Sequence, residues 1–122
     1  MTCSQNKPRG WTAIIAAVGA LVTVAPAFAA APDTIAAGRA IAFDRGKGNC
    51  ASCHTMKGGE VPSTVGPELV NMRSRYPDRK MLYAALYDPG RRNPQTAMPP
   101  FGRNRILSAD EINAVIDFLY TL

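Results

Sequence analysis

The clearest pattern of hydrophobic and polar positions lies at the C-terminal end of the chain and predicts an amphipathic helix. Four apolar residues recur there at the spacing of an α-helix: Ile112, Val115, Ile116 and Leu119. Ser108 and Glu111 precede this stripe in the arrangement of a capping box, which marks a helix N-terminus. The apolar stripe has to be covered by another element, and we expect an N-terminal helix to cover it.

That N-terminal helix is predicted from Asp33, as its N-cap, to about Asp44, where alanines raise the helix propensity. Gly38 interrupts it, and a glycine inside a helix suggests that another element approaches closely. We expect that element to be the C-terminal helix, with Phe118 or Tyr120 meeting Gly38.

Two shorter helices are predicted in the middle of the chain. One begins at a proline and covers residues 67–75, and the other covers residues 79–87 after an Asp78 cap. The segments 55–66 and 88–107 contain glycines and prolines without sustained periodicity, which is typical of loops. The pattern therefore predicts an all-α domain with long wrapping loops.

The N-terminal residues, up to Ala29, have the order of a secretory signal peptide. Lys7 and Arg9 precede an uncharged apolar stretch, residues 12–24, and small residues follow it. No arginine pair precedes that stretch, so the general secretory route is favoured over the twin-arginine route. A retained anchor helix is the alternative, although the stretch is short for a membrane span. We therefore expect cleavage after Ala29 and a periplasmic mature domain, residues 30–122, without a membrane anchor.

Charge and length limit the functions that this domain can have. The full chain has a formal net charge of +5, and the loss of Lys7 and Arg9 lowers it to +3. So small an excess does not indicate nucleic-acid binding. The 93 residues that remain of the 122 support one domain with a marginal core, which a buried cofactor would stabilise.

The segment CASCH, from Cys50 through Cys53 to His54, has the C-x-x-C-H order of a c-type haem attachment site. Each thiol can add to a different vinyl group of one porphyrin, and His54, the only histidine, then lies beneath the iron. A structural zinc site would lack a ligand, because Cys3 is far away and leaves with the signal peptide. A thioredoxin-like dithiol would need a βαβ context, which is absent. The segment therefore predicts one covalently bound haem c and a function in electron transfer.

A second axial ligand is expected on the iron, and without a second histidine a methionine is the leading type. Met98 is favoured because it precedes two prolines, which stiffen the loop that presents it. Met56 follows His54 too closely to reach the opposite haem face. Met72 and Met81 lie on predicted helices, where packing in the core is the expected role, and they remain the alternatives.

The other ring nitrogen of His54 needs a hydrogen-bond acceptor, and a backbone carbonyl from the loop near Pro67 is the expected one. No residue is predicted to be catalytic, because the mature chain keeps no free thiol, no spare histidine and no evident pair of catalytic carboxylates. Asp110 and Glu111 are expected to be charges at a helix start.

These motifs together resemble class I cytochromes c over nearly all of the mature length. The resemblance rests on the segment from Cys50 to His54, on Gly66-Pro67, on a late methionine before proline, and on helices at both ends. It implies the class I cytochrome c fold. It also implies that the carbonyl of Pro67 accepts a hydrogen bond from the axial histidine and that Met98 is the sixth ligand of the iron.

A narrower resemblance, over residues 38–122, is to the X subunit of the SoxAX cytochrome complex. It rests on these segments: Gly66-Pro67, RYPD at 75–78, Asn93-Pro94, MPPFGRNRIL at 98–107 and DFLYTL at 117–122. It implies a monohaem subunit that pairs with a larger haem-bearing A subunit in the periplasm. Together they oxidatively join thiosulfate to a carrier-protein cysteine, and this chain accepts the electrons for a downstream acceptor cytochrome.

Two other functions stay open on the sequence. A freestanding, diffusible electron shuttle needs the same haem motif, whereas a ligand-binding or peroxidase-like haem protein would require Met98 to be off the iron or readily displaced. Four arginines flank the loop that contains Met98: Arg91, Arg92, Arg103 and Arg105. They predict a basic rim that docks an acidic partner, with a solvated face or pairing with the haem propionates as equal alternatives.

Overall fold

The computed structural model describes residues 31–122. Four helices follow one another in this part of the chain: α1 (Pro32–Phe43), α2 (Met72–Arg75), α3 (Arg79–Tyr87) and α4 (Ala109–Leu119). Single turns of 3-10 helix form at Cys50–Ser52 and Pro89–Arg91, and no strand occurs among the described residues, which confirms the all-α class. The predicted signal peptide, its cleavage point after Ala29 and Cys3 lie outside them.

The packing of α1 against α4 is the most extensive contact between helices, as the sequence predicts. At Gly38 the backbones of the two helices approach so closely that a Cβ would overlap the carbonyl of Ala114 and lie 2.9 Å from the nitrogen of Val115. The expectation that Phe118 or Tyr120 meets Gly38 is therefore wrong. The crossing point lies one turn earlier on α4, and the ring of Phe118 packs instead on the ring of Phe43, with centroids 6.2 Å apart.

The apolar stripe of α4 forms the centre of the core. Ile112, Val115 and Ile116 are completely buried, and each such side chain contributes about 1.5–3 kcal/mol of burial free energy. The predicted capping box is present, because Ser108 accepts from the Glu111 N–H and Glu111 accepts from the Ser108 N–H. The helix therefore begins where its sequence signature predicts.

The N-cap of α1 lies two residues before the predicted one. Pro32 occupies the first helical turn, where its missing N–H leaves no bond unmade, and Ala31 is the N-cap without a side-chain hydrogen bond. Asp33 consequently lies inside the first turn and not at the cap. Its negative charge still stabilises the helix there, because it faces the positive end of the helix dipole.

The second helix is shorter than predicted, since α2 begins only at Met72. Residues 67–71 form a loop whose backbone bonds to another part of the chain, with the Leu69 N–H donating to the Thr55 carbonyl at 2.8 Å. Asn71 then adopts a left-handed conformation with a φ of 51°, so the helix cannot extend backwards through it.

The third helix has the predicted bounds. Asp78 caps it by accepting from the Lys80 N–H at 2.8 Å, and Leu82 and Leu86 are buried on its inner face. The expectation that Met81 packs in the core is wrong, since 48% of its surface is exposed. Leu82, Ala85 and Leu86 share the inner face of this short helix, and Met81 lies beside that face.

Polar contacts fasten α3 and the chain before it to α4. Arg79 donates to the carboxylate of Asp117 at 2.6 Å and to the carbonyl of Asn113 at 2.9 Å. The hydroxyl of Tyr120 donates to the carbonyl of Tyr76 at 2.8 Å. Within residues 31–122, no helix has both the length and the apolar content that crossing a membrane requires.

Candidate functional site

The segment from Cys50 to His54 folds into one tight turn. The N–H groups of Cys53 and His54 both donate to the carbonyl of Cys50, at 3.1 and 2.9 Å. The turn starts from Asn49, which is left-handed with a φ of 48°, and Gly48 before it donates to the Ile41 carbonyl at the end of α1. These bonds hold both thiols and the imidazole at the wall of one cavity.

The imidazole of His54 is held in one orientation by backbone atoms. Its Nδ1 lies 2.7 Å from the carbonyl oxygen of Pro67. A carbonyl can only accept, so Nδ1 carries the hydrogen and Nε2 keeps its lone pair. Gly66 lies against the ring so closely that a Cβ there would overlap it, at 2.7 Å from Nδ1. An imidazole with a fixed tautomer and a free Nε2 is the form that binds a metal.

The cavity beside this turn has a volume of about 760 Å³, within the range of about 300–1,000 Å³ that is usual for sites of small ligands and cofactors. Apolar side chains from α2, α3 and α4 form part of its wall: Met72, Leu82, Leu86 and Leu119. The loop with Met98, Pro99 and Phe101 also lines it. Two thiols, an oriented imidazole, a thioether and an apolar wall fit a covalently attached haem.

The surroundings of Cys50 favour the neutral form of its thiol. Burial raises the pKa of its thiol to about 11, and the nearby Cys53 thiol adds to the rise, against a lowering by a backbone hydrogen bond. Zinc sites need thiolates, which such burial disfavours. No group of three or more His, Cys, Asp or Glu residues that could hold a metal ion occurs in the described part of the chain. The neutral thiol that burial favours at Cys50 is compatible with the thioether role that the sequence predicts.

The four methionines in the described part of the chain occupy different environments. Met98 is partly buried and lines the cavity, and its N–H donates to the Thr96 hydroxyl at 3.1 Å. Met72 also lines the cavity, but it is only 2% exposed and its sulfur lies 3.6 Å from a guanidinium nitrogen of Arg75. Met56 and Met81 do not line it. The structure thus leaves Met98 and Met72 as the two thioethers that face the cavity.

Two features of the site were not predicted from the sequence. Gly66 contacts the imidazole, and its only sequence signal is its place before Pro67. Arg103 donates to the buried carboxylate of Asp88 at 3.1 Å, across 15 residues of loop sequence without periodicity. Arg103 is thus paired within the chain, but 59% of its side chain is exposed, and its part in a basic rim stays a prediction. Arg91, Arg92 and Arg105 are exposed, and their part in a rim stays a prediction.

Comparisons with known proteins agree with this geometry. The family model described as cytochrome c matches residues 35–122. The crystal structure of the c-type cytochrome SorU from Sinorhizobium meliloti superposes with a TM-score of 0.52 and is 34% identical, covering 73% of this chain and 90% of SorU. An uncharacterized lipoprotein of Aquifex aeolicus (strain VF5) is 31% identical over 75 residues, which are 61% of this chain and 36% of the relative. The chain thus spans about a third of the length of that relative.

Proposed function

The chain belongs to the cytochrome c family, and from that premise we propose that it is the electron-accepting X subunit of a periplasmic SoxAX complex. Membership of the family means covalently bound haem c and electron transfer. Haem c supplies a one-electron redox centre. The proposal adds a larger haem-bearing A subunit as partner, thiosulfate and a carrier-protein cysteine as reactants, and a downstream cytochrome as acceptor.

The proposed roles of the site residues follow from where each one lies. Cys50 and Cys53 would hold the haem through two thioethers, and His54 and Met98 would bind its iron. The Pro67 carbonyl keeps the His54 tautomer with Nε2 free, at 2.7 Å from Nδ1. The observation that carries the electron-transfer role is that all four side chains line one cavity. With both side chains bound, the iron would have no open position for a substrate and would serve electron transfer.

The residues that line the cavity support the proposal that the reaction at sulfur takes place on the partner subunit and not on this chain. No Asp or Glu is among the residues that line it, and the one histidine of the chain has its Nδ1 engaged by Pro67. The cavity therefore offers no carboxylate and no second imidazole as a general acid or base for reaction at sulfur. The segment 98–107, which carries much of the resemblance to SoxAX X subunits, forms the loop around Met98.

A freestanding electron shuttle is the second candidate function. The observation that favours it is the similarity to SorU, which extends over 90% of that chain, and SorU is described as a c-type cytochrome. A domain of this extent can therefore be a cytochrome by itself. The two candidates differ in their state of assembly, because a shuttle is a monomer and an X subunit has a permanent partner.

Purification from periplasmic extract under mild conditions tests the proposal. We expect the tagged chain to bring down a larger protein that keeps haem after denaturation. We also expect the pair to consume thiosulfate in the presence of the carrier protein. A haem-loaded chain that elutes as a monomer, with full redox activity and no co-purifying cytochrome, would refute the SoxAX assignment and favour the shuttle.

The basic rim gives a second test with a matched control. Arg91 is exposed beside the Met98 loop, whereas Lys57 is exposed on a different loop and does not line the cavity. Arg91→Glu and Lys57→Glu change the net charge equally. If the rim docks the partner, Arg91→Glu weakens co-purification at low salt and Lys57→Glu does not. Equal effects of the two variants would show that only the net charge matters.

A further inference from the structure

Asp88 is the one buried charged residue in the described part of the chain. It follows α3, and only 6% of its surface is exposed. Its Oδ2 accepts from Arg103 at 3.1 Å, whereas its Oδ1 is buried without a hydrogen-bond partner. A carboxylate taken out of water in this way is costly unless a charged group pairs with it. Arg103 is therefore the partner on which burial of Asp88 depends.

The C-terminal end of α3, next to Asp88, also forms hydrogen bonds with the backbone of the loop after Met98. The N–H groups of Gly102 and Arg103 both donate to the carbonyl of Tyr87, at 3.2 and 3.1 Å. Gly102 lies flat against the Tyr87 ring, where a Cβ would overlap it, at 2.7 Å from the Cγ atom. The backbone bonds and the ion pair from Arg103 to Asp88 thus fasten one short stretch of loop to the end of α3.

This fastening point is linked stiffly to Met98. Pro99 and Pro100 have fixed φ angles and no N–H groups, so little freedom lies between Met98 and the buried side chain of Phe101. On its other side Met98 is held by the bond of its N–H to the Thr96 hydroxyl. The position of the thioether therefore depends on how firmly residues 101–103 are held.

We propose that Asp88 is a positioning residue that, through its ion pair with Arg103, holds the Met98 loop on α3 and keeps the thioether at the iron. This inference rests on the assignment of Met98 as axial ligand in the proposed function. Asp88 acts through Arg103 and the loop and not by contact with the iron. Its removal loosens the loop and makes the thioether easier to displace.

Competition by imidazole at the ferric protein measures this effect. Imidazole binds the iron where the thioether leaves, and the weak far-red band of thioether-to-ferric-iron charge transfer disappears as it binds. Loss of a residue that supports a metal ligand typically changes metal-site affinity 10–100-fold. We expect Asp88→Asn and Arg103→Gln each to raise the affinity for imidazole about tenfold. Arg103→Lys, which keeps the charge, should restore part of the difference.

Asp117→Asn is the matched control. Asp117 also accepts from an arginine, Arg79, at 2.6 Å, but this pair joins α3 to α4 away from the Met98 loop. The control should lose thermal stability and keep the wild-type affinity for imidazole. An equal rise in affinity in Asp117→Asn would overturn the inference, because general loosening would then explain the effect.

Two further outcomes separate the inference from the proposed function. If Met98→Ala removes the far-red band but Asp88→Asn and Arg103→Gln bind imidazole as the wild type does, the positioning role is wrong and the ligand assignment stands. If the band survives Met98→Ala, the ligand assignment itself is wrong. Arg103 has 59% of its side chain exposed, so Arg103→Gln keeps the test available if Asp88→Asn does not fold.

Discussion

The Nδ1 atom of His54 lies 2.7 Å from the carbonyl oxygen of Pro67, which fixes the tautomer of the only histidine in the chain. Gly66, the residue before that proline, lies against the same imidazole ring. The bond from the Gly66 N–H to the Cys53 carbonyl, at 2.7 Å, joins this arrangement to the cysteine turn. The orientation of the imidazole is thus built from backbone atoms and does not need a second side chain.

Gly66→Ala should disturb the imidazole directly. Its Cβ would overlap the His54 ring, and overpacking of this kind costs about 1–3 kcal/mol. We expect a lower yield of haem-loaded protein and a lower Tm of the loaded fraction, measured by absorbance and thermal unfolding. Gly46→Ala is the control, since its Cβ would meet only the side-chain oxygen of Asp44, at 3.3 Å. Equal behaviour of the two variants would contradict the close fit.

Gly38→Ala should destabilise the whole fold and leave the haem environment intact. The added methyl would overlap the carbonyl of Ala114 and force α1 and α4 apart, at a cost of about 1–3 kcal/mol. Guanidinium unfolding should show this loss, while the absorbance spectrum of the folded protein stays that of the wild type. Unchanged stability would mean that the two helices separate without cost.

Replacement of the methionines in turn should identify the sixth ligand. Met98→Ala should abolish the far-red thioether band of the ferric protein, because a water or an external ligand then occupies the iron. Met72→Leu keeps the apolar volume at its buried position and should retain the band. Met81→Ala, on an exposed surface, should change neither the band nor the stability. Loss of the band in Met72→Leu alone would assign the ligand to Met72.

The stability should depend on pH through Glu111. The Lys47 ammonium and the Ser108 N–H hold the pKa of Glu111 below its ordinary value. A lowered pKa contributes stability above the pKa of the unfolded chain, and that contribution is lost as the pH falls through the folded value. Glu111→Gln should therefore be less stable than the wild type at pH 7, with a difference that shrinks below about pH 4.

Lys47→Gln provides the companion measurement for this ion pair. Lys47 lies in the loop between α1 and Cys50, so the same pair is removed from its other end. The variant should also be less stable than the wild type at pH 7, and its stability should fall less on acidification. A difference from the wild type that grows at low pH would contradict the assigned direction of the Glu111 pKa.

Local sequence patterns predict the helices well where apolar residues recur at helical spacing or where a capping residue marks the helix start. The stripe from Ile112 to Leu119 and the capping box at Ser108 lead directly to α4, and Asp78 marks the start of α3. Local sequence patterns do not predict the structure where a backbone hydrogen bond between distant residues determines it. Residues 67–71 are a loop because Leu69 bonds to Thr55, and no local pattern contains that bond.

In the candidate site, too, some residues can be predicted from the local sequence and others cannot. Cys50, Cys53 and His54 are adjacent in sequence, so their chemistry can be predicted from their order alone. The meeting of Gly38 with the backbone of Ala114 depends on the crossing point of two helices. The pairing of Asp88 with Arg103 depends on the path of a loop between them. Neither the crossing point nor the loop path leaves a periodic pattern in the sequence.

Reduction of this chain by thiosulfate tests the proposed function most directly. The oxidised complex, purified with its larger cytochrome, is mixed with thiosulfate and the carrier protein while the absorbance of the haem is followed. We expect the haem held by Cys50 and Cys53 to become reduced only when the partner, the carrier and thiosulfate are all present. A haem that stays oxidised in the full mixture, while the isolated chain still exchanges electrons with a chemical reductant, would contradict it.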